Sequence, residues 1–191
     1  MNKHAKLAQD RGIVRALSGS IKGAEELTKT VVDAVAATLA SALQSTGKVG
    51  EAFFRSVAML AASAVKGAAE VGAELGCVAK GFLIGTLRGT RQTGDEAMHT
   101  MGAAAGVFTA QAARAGADVG RVAVGLVEGA IQLAEELGID TAEAASAVAQ
   151  RIVDAGYDVG AGVGDKVTKS LSGTIKGVKI VLKEPFRVHR H

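Results

Sequence analysis

Steps of eleven from Lys22 reach Lys22, Asp33, Gln44, Arg55, Lys66, Cys77, Arg88, His99, Ala110, Arg121, Gln132, Glu143, Asp154, Asp165 and Lys176, and only Cys77 and Ala110 among these are not polar. When every position is numbered by its remainder from Lys22, 33 of the 34 charged residues between Lys22 and Glu184 fall on remainders 0, 3, 4, 7 and 8, with Lys166 the exception. Eleven residues in three turns is about 3.67 per turn, slightly looser than an ideal α-helix. At that pitch the five polar remainders form one arc over about a third of the helix circumference. The other six remainders make a wide uncharged face of Val, Ala, Leu, Thr, Gly and Phe, and only an amphipathic helix serves such a pattern.

A second period lies on the first. Gly50, Gly72, Gly94, Gly116, Gly138 and Gly160 are spaced 22 apart. The closest self-similarity is at 44 residues, where Val71–Gly85 (VGAELGCVAKGFLIG) aligns with Ala115–Gly129 (AGADVGRVAVGLVEG). Repetition at fixed periods is the signature of a chain built from duplicated units. Abundant Ala with a single proline, Pro185, favours helix, whereas 25 glycines oppose it by roughly 1 kcal/mol at each interior position. Pairs such as Gly81/Gly85/Gly89, Gly102/Gly106, Gly116/Gly120, Gly125/Gly129, Gly156/Gly160/Gly164 and Gly173/Gly177 have the small-xxx-small spacing that lets helix backbones approach closely.

The predicted fold is all-α, with long amphipathic helices in continuous 11-residue register, packed as helical hairpins, a bundle or a helical assembly. A single helix over residues 22–184 would be about 240 Å long at 1.5 Å per residue, so turns that consume whole repeats are expected. Candidate turns are Ser45–Gly50, Gly89–Gly94, Gly138–Asp140 and Gly156–Gly164. The best signal is at Gly138–Glu143, where Gly138 suits a helix C-terminus and Asp140 with Glu143 suits an N-cap pair. The organisation reads as a basic segment 1–21, a repeat region 22–184 and a basic tail 185–191. Residues 118–158 hold eight carboxylates against Arg121 and Arg151, so basic ends flank an acidic middle.

The repeat resembles the 11- and 22-residue amphipathic repeats of exchangeable apolipoproteins, synucleins and perilipins in period and residue type over about residues 22–184. That resemblance implies reversible coating of a membrane, lipid droplet or granule (a phasin-like coat included), with affinity gained from length because Ala, Gly and Thr bury little area each. The contact residues would be Val31, Val32, Leu43, Phe53, Phe54, Leu75, Phe82, Leu87, Phe108, Ile131 and Ile152. Lys166, Lys169, Lys176, Lys179 and Lys183 would attract anionic headgroups. The alternative is a self-assembling structural protein in which Gly50, Gly72, Gly94, Gly116, Gly138 and Gly160 pack helices closely. On either reading Phe53→Asp or Phe82→Asp weakens the activity, and Gly116→Leu damages helix packing.

No chemical site is expected. Gly160–Thr168 has the glycines of a phosphate loop, but Asp165 precedes Lys166 where that loop needs Lys after Gly, and no strand is expected before it. His99 falls on the polar arc, and His4, His189 and His191 lie in polar ends. Cys77 is the lone cysteine, so neither an intramolecular disulfide nor a cysteine metal cluster can form. Glu25/Glu26, Asp95/Glu96 and Glu135/Glu136 all obey the polar phases of a solvated face. The sequence thus predicts a non-enzymatic protein with no cofactor, metal or small-molecule substrate, partnered by a lipid surface and by copies of itself. Basic ends without interleaved aromatics argue against nucleic acid. An intracellular, membrane-peripheral location is expected, with no signal peptide, and the charge-free runs Ala34–Gly47 and Ala97–Ala113 fall short of a bilayer span.

Overall fold

The structure, a computed structural model, describes residues 23–46 and 49–183. The predicted basic segments 1–21 and 185–191 lie outside the described residues. Within them the chain forms seven helices: α1 (Ala24–Thr46), α2 (Glu51–Val71), α3 (Leu75–Thr90), α4 (Gly94–Arg114), α5 (Val119–Leu137), α6 (Thr141–Val159) and α7 (Ala161–Leu171). A two-stranded hairpin follows, β1 (Gly173–Ile175) and β2 (Val178–Ile180). The all-α expectation holds.

The 22-residue period proves to be the length of one helix plus its turn. Because 22 is twice eleven, each new helix restarts in the same phase, and the charged arc keeps its remainders across every turn. Gly50, Gly72, Gly94, Gly116, Gly138 and Gly160 all stand at helix ends, and a Cβ added to any of them would meet nothing within 4 Å. Their expected role in helix packing is therefore corrected: they make turns. Gly116 (φ 70°) and Gly138 (φ 68°) adopt the left-handed conformation that ends a helix and that side chains with a Cβ disfavour. The Gly138–Glu143 junction forms as expected, with the Glu143 N–H donating to Asp140 Oδ1 at 2.7 Å. The turns after Val71 and Arg114 are additional to those expected.

Close packing falls to the other glycines. A Cβ on Gly81 would lie 2.6 Å from the Thr28 carbonyl oxygen, one on Gly85 2.7 Å from that of Val32, and one on Gly89 3.0 Å from that of Ala36. Residue numbers rise together along both helices, so α3 runs parallel to α1 with its backbone pressed against it. The contact recurs one step later. A Cβ on Gly125 of α5 would run into the Gly76 carbonyl of α3, and one on Gly129 would approach that of Lys80 within 3.2 Å. Helix α7 continues this row, with Gly120 against Ser170. A second row, α2, α4 and α6, packs against the first, with Gly102 and Gly106 of α4 facing Arg151 and Ala155 of α6. The two rows alternate along the chain, so each helix meets the helix two ahead of it as its row neighbour.

The core lies between the rows. Phe53, Phe82, Phe108, Leu60, Leu83, Leu126 and Ile152 are fully buried, and Phe82 of α3 meets Phe108 of α4 with ring centroids 4.7 Å apart. Among large apolar side chains of the described residues only Val159 and Val181 are exposed.

One stretch of the repeat region departs from helix. In Gly173–Ile180 the β-branched residues flank Lys176-Gly177, and both turn residues have positive φ, 49° and 80°. That is the geometry favoured by two-residue hairpins. The Gly173/Gly177 pair thus serves the hairpin, in place of the helix contact its spacing suggested.

Candidate interaction face

The uncharged face expected to meet lipid or partners is turned inward. Val31, Val32, Phe53, Phe82, Leu87, Phe108, Ile131 and Ile152 are buried in the chain's own core, and Leu43, Phe54 and Leu75 are half-buried against it. Periodicity identifies a face that avoids water without saying what covers it, and here the neighbouring helices cover it. What the closed fold presents outward is the charged arc. On the outer side of the first row, part of that arc gathers around two grooves.

Two helices start there. Glu74 caps α3, accepting from the N–H groups of Gly76 (3.0 Å) and Cys77 (2.7 Å), and Asp118 caps α5, accepting from Gly120 N–H (3.1 Å). These two carboxylates occupy equivalent places in the 44-residue repeat, and the repeat copies pack side by side as α3 and α5. Side chains then bridge the row. Arg121 reaches Glu74 at 3.9 Å and Asp118 at 3.6 Å, Lys166 of α7 reaches Asp118 at 3.2 Å, Lys80 reaches Glu128 at 4.0 Å, and Arg88 reaches Glu136 at 2.8 Å. Each such exposed or half-exposed pair contributes about 0–1 kcal/mol, so the ladder sets register more than it adds stability.

The caps carry the electrostatic signature of these contacts. Burial pushes Glu74 up, but the thiol and N–H of Cys77, the N–H of Gly76 and the Arg121 charge outweigh it and hold its carboxyl below the usual value. Lys166 draws Asp118 below its ordinary 3.8, with the N–H groups of Arg121 and Gly120 assisting against a smaller burial effect. Burial, then the neighbouring Glu74, push the Cys77 thiol up to about 11, so it stays protonated and unreactive at neutral pH.

The lowered carboxyls make stability pH-dependent. A group whose folded value is depressed stabilises above its unfolded value and loses that contribution as pH falls through the folded value. Thermal melts of the intact protein should therefore lose stability as pH falls below the ordinary values of the two groups, 4.5 for Glu74 and 3.8 for Asp118. Asp118→Asn, which keeps a capping oxygen, should lower the melting temperature at neutral pH and flatten this acid limb. An unchanged acid limb in the variant would mean that the Lys166–Asp118 pair contributes nothing.

Two adjoining grooves open on this face. One, of about 610 Å³, lies over the starts of α3 and α5 beside α7, and its charged lining of Glu74, Asp118, Glu128, Lys80, Arg121 and Lys166 is mutually paired. The other, of about 570 Å³, is bounded by α1 on one side and by the hairpin turn at Lys176 on the other, with α3 and α5 as its floor. Cys77, Lys80 and Glu128 line both. A third groove of about 610 Å³ runs along α6 beside Val181 and Lys183, whose N–H groups donate to Ser146 and Gln150.

The five lysines expected to act together have separate surroundings. Lys166 is tied to Asp118, Lys176 tops the hairpin, Lys183 lies against α6, and Lys169 and Lys179 are exposed. His99 is exposed on α4, as its phase implies. Among the described residues no three His, Cys, Asp or Glu side chains gather to hold a metal. By length and composition alone helix α2 is apolar enough to cross a membrane, although half of its most apolar stretch is buried inside the fold. Arg55 and Lys66 lie within it, so no charge-free run marks it in the sequence. The grooves were not legible either, since they join residues near 28, 80, 128 and 176 that only the fold brings together.

No family model, curated protein or solved structure matches this chain.

Proposed function

We propose that this chain is a non-enzymatic structural protein that acts through its surface, and that it assembles by extending its helical rows. One observation supports this reading above the others: the contact of α3 on α1 is repeated by α5 on α3 in the same parallel sense. A contact of that kind is translational. It does not close on itself, and head-to-tail contacts that do not close generate open assemblies. Light scattering on the purified protein across a wide concentration range should give a mass that grows with concentration, with elongated particles by electron microscopy. A mass that stays at one chain at every concentration would remove self-assembly.

Lipid coating is the second reading, favoured by the half-buried apolar helix α2. The core is rich in Ala, whose contacts are individually small, so helices could exchange one another for a lipid surface at modest cost. This reading requires the bundle to open, because the large apolar side chains are inside. Co-flotation with anionic vesicles, accompanied by exposure of the core to proteolysis, is its expected result. Failure to float would leave self-assembly as the working reading.

A further inference from the structure

We infer that the groove between α1 and the hairpin turn is a docking site for an acidic segment of a partner protein. It rests on the reading of the chain as a surface-acting scaffold, and it adds the chemistry of what that surface holds.

Three observations carry it. First, the groove is concave by construction. Helix α1 and Lys176 line the same cavity across α3 and α5, so the row forms one wall and the floor while the hairpin turn forms the other wall. Second, its charge is unbalanced. Four cations, Lys29, Lys80, Arg88 and Lys176, face two anions, Glu25 and Glu128. Lys80 is taken by Glu128, and Arg88 by Glu136 outside the groove, which leaves Lys29 and Lys176 against Glu25 alone, a surplus of one cation. Among the described residues Lys29 and Lys176 form no ion pair, and both are exposed, one on each wall. The adjoining groove, by contrast, has neutralised itself.

Third, the lining selects among anionic partners. Among the described residues its lining holds no aromatic ring on which a base could stack, which counts against single-stranded nucleic acid. A concave trough also fits a chain better than it fits the plane of a bilayer. Carboxylates on a polypeptide can bridge Lys29 and Lys176 while small side chains rest over Thr28 and Ala24. Complementarity of this kind steers encounter and fixes orientation, and it weakens as salt rises.

The test uses the full chain and a fluorescein-labelled peptide of alternating Glu and Ala, read by anisotropy. The peptide should bind, more weakly as salt is raised, and Lys29→Glu with Lys176→Glu should reduce affinity by about tenfold or more. Lys169→Glu with Lys179→Glu, the same charge change outside the groove, should have a much smaller effect. Circular dichroism on both double variants checks that the helices remain. Equal losses from the two pairs would reduce the interaction to net charge and overturn the site. Absence of peptide binding, or stronger binding of an oligonucleotide of equal charge that the Lys29/Lys176 pair abolishes, would overturn the partner chemistry. Light scattering is read separately, so a one-chain protein that still binds the peptide would sink self-assembly and leave the groove standing.

Discussion

Gly125→Leu is expected to be among the most damaging single substitutions in this protein. The obstacle is backbone: a Cβ on Gly125 would run into the carbonyl of Gly76, which cannot swing aside as a side chain can. Helix α5 would have to leave α3, taking with it the Lys80–Glu128 and Arg88–Glu136 bridges that depend on their closeness. Overpacking usually costs about 1–3 kcal/mol, and an immovable neighbour places this case at the upper end or beyond. In a chain of this size roughly 3 kcal/mol lowers the melting temperature by about 6–12 °C. Gly116→Leu makes the informative comparison. Nothing lies within 4 Å of its Cβ, so the cost there is that of a left-handed residue with a side chain, about 1–2 kcal/mol. Thermal melts in which Gly116→Leu is the worse of the two would contradict the parallel row.

Phe82→Ala should cost at least as much. Phe82 is fully buried on α3 and meets Phe108 of α4, so its loss opens a cavity where the two rows join. Truncating a buried phenylalanine costs about 3–5 kcal/mol, a large part of the roughly 5–15 kcal/mol that holds a typical domain together. Urea denaturation should show a lower midpoint with an unchanged slope. Phe54→Ala, from a half-buried position on α2, should cost clearly less. Equal losses at the two sites would mean that the row junction at Phe82 is not the centre of the core. Phe82→Asp, which the sequence suggested as a probe of the outward face, would instead unfold the protein and report nothing about binding.

These two substitutions mark where sequence reasoning worked and where it stopped. The polar phases placed His99, Glu135 and Glu136 outside and Val31, Phe53, Phe82 and Ile152 away from water, because helical geometry converts spacing into faces without reference to anything else. The Asp140 cap and the Gly138 turn were legible for the same reason: capping is chemistry between residues three apart. The hairpin at Lys176-Gly177 carried a local signal too, two β-branched runs about a Lys-Gly pair, but the 11-residue grid ran through it and hid it.

The sequence by itself determined that this chain is helical, how its helices are oriented about their axes, and which side chains shun water. Only the tertiary structure decided that the 22-residue glycines turn the chain while Gly81, Gly85, Gly89, Gly125 and Gly129 bring helices together. It also decided that the apolar face is covered by the chain's own second row, and that Lys29 and Lys176 face one groove. The physical reason is one of range. Dihedral preference, capping and amphipathic spacing act within about one helical turn, whereas packing partners are chosen by which faces fit across separations of 40 residues and more, and periodicity repeats identically whichever partner is chosen.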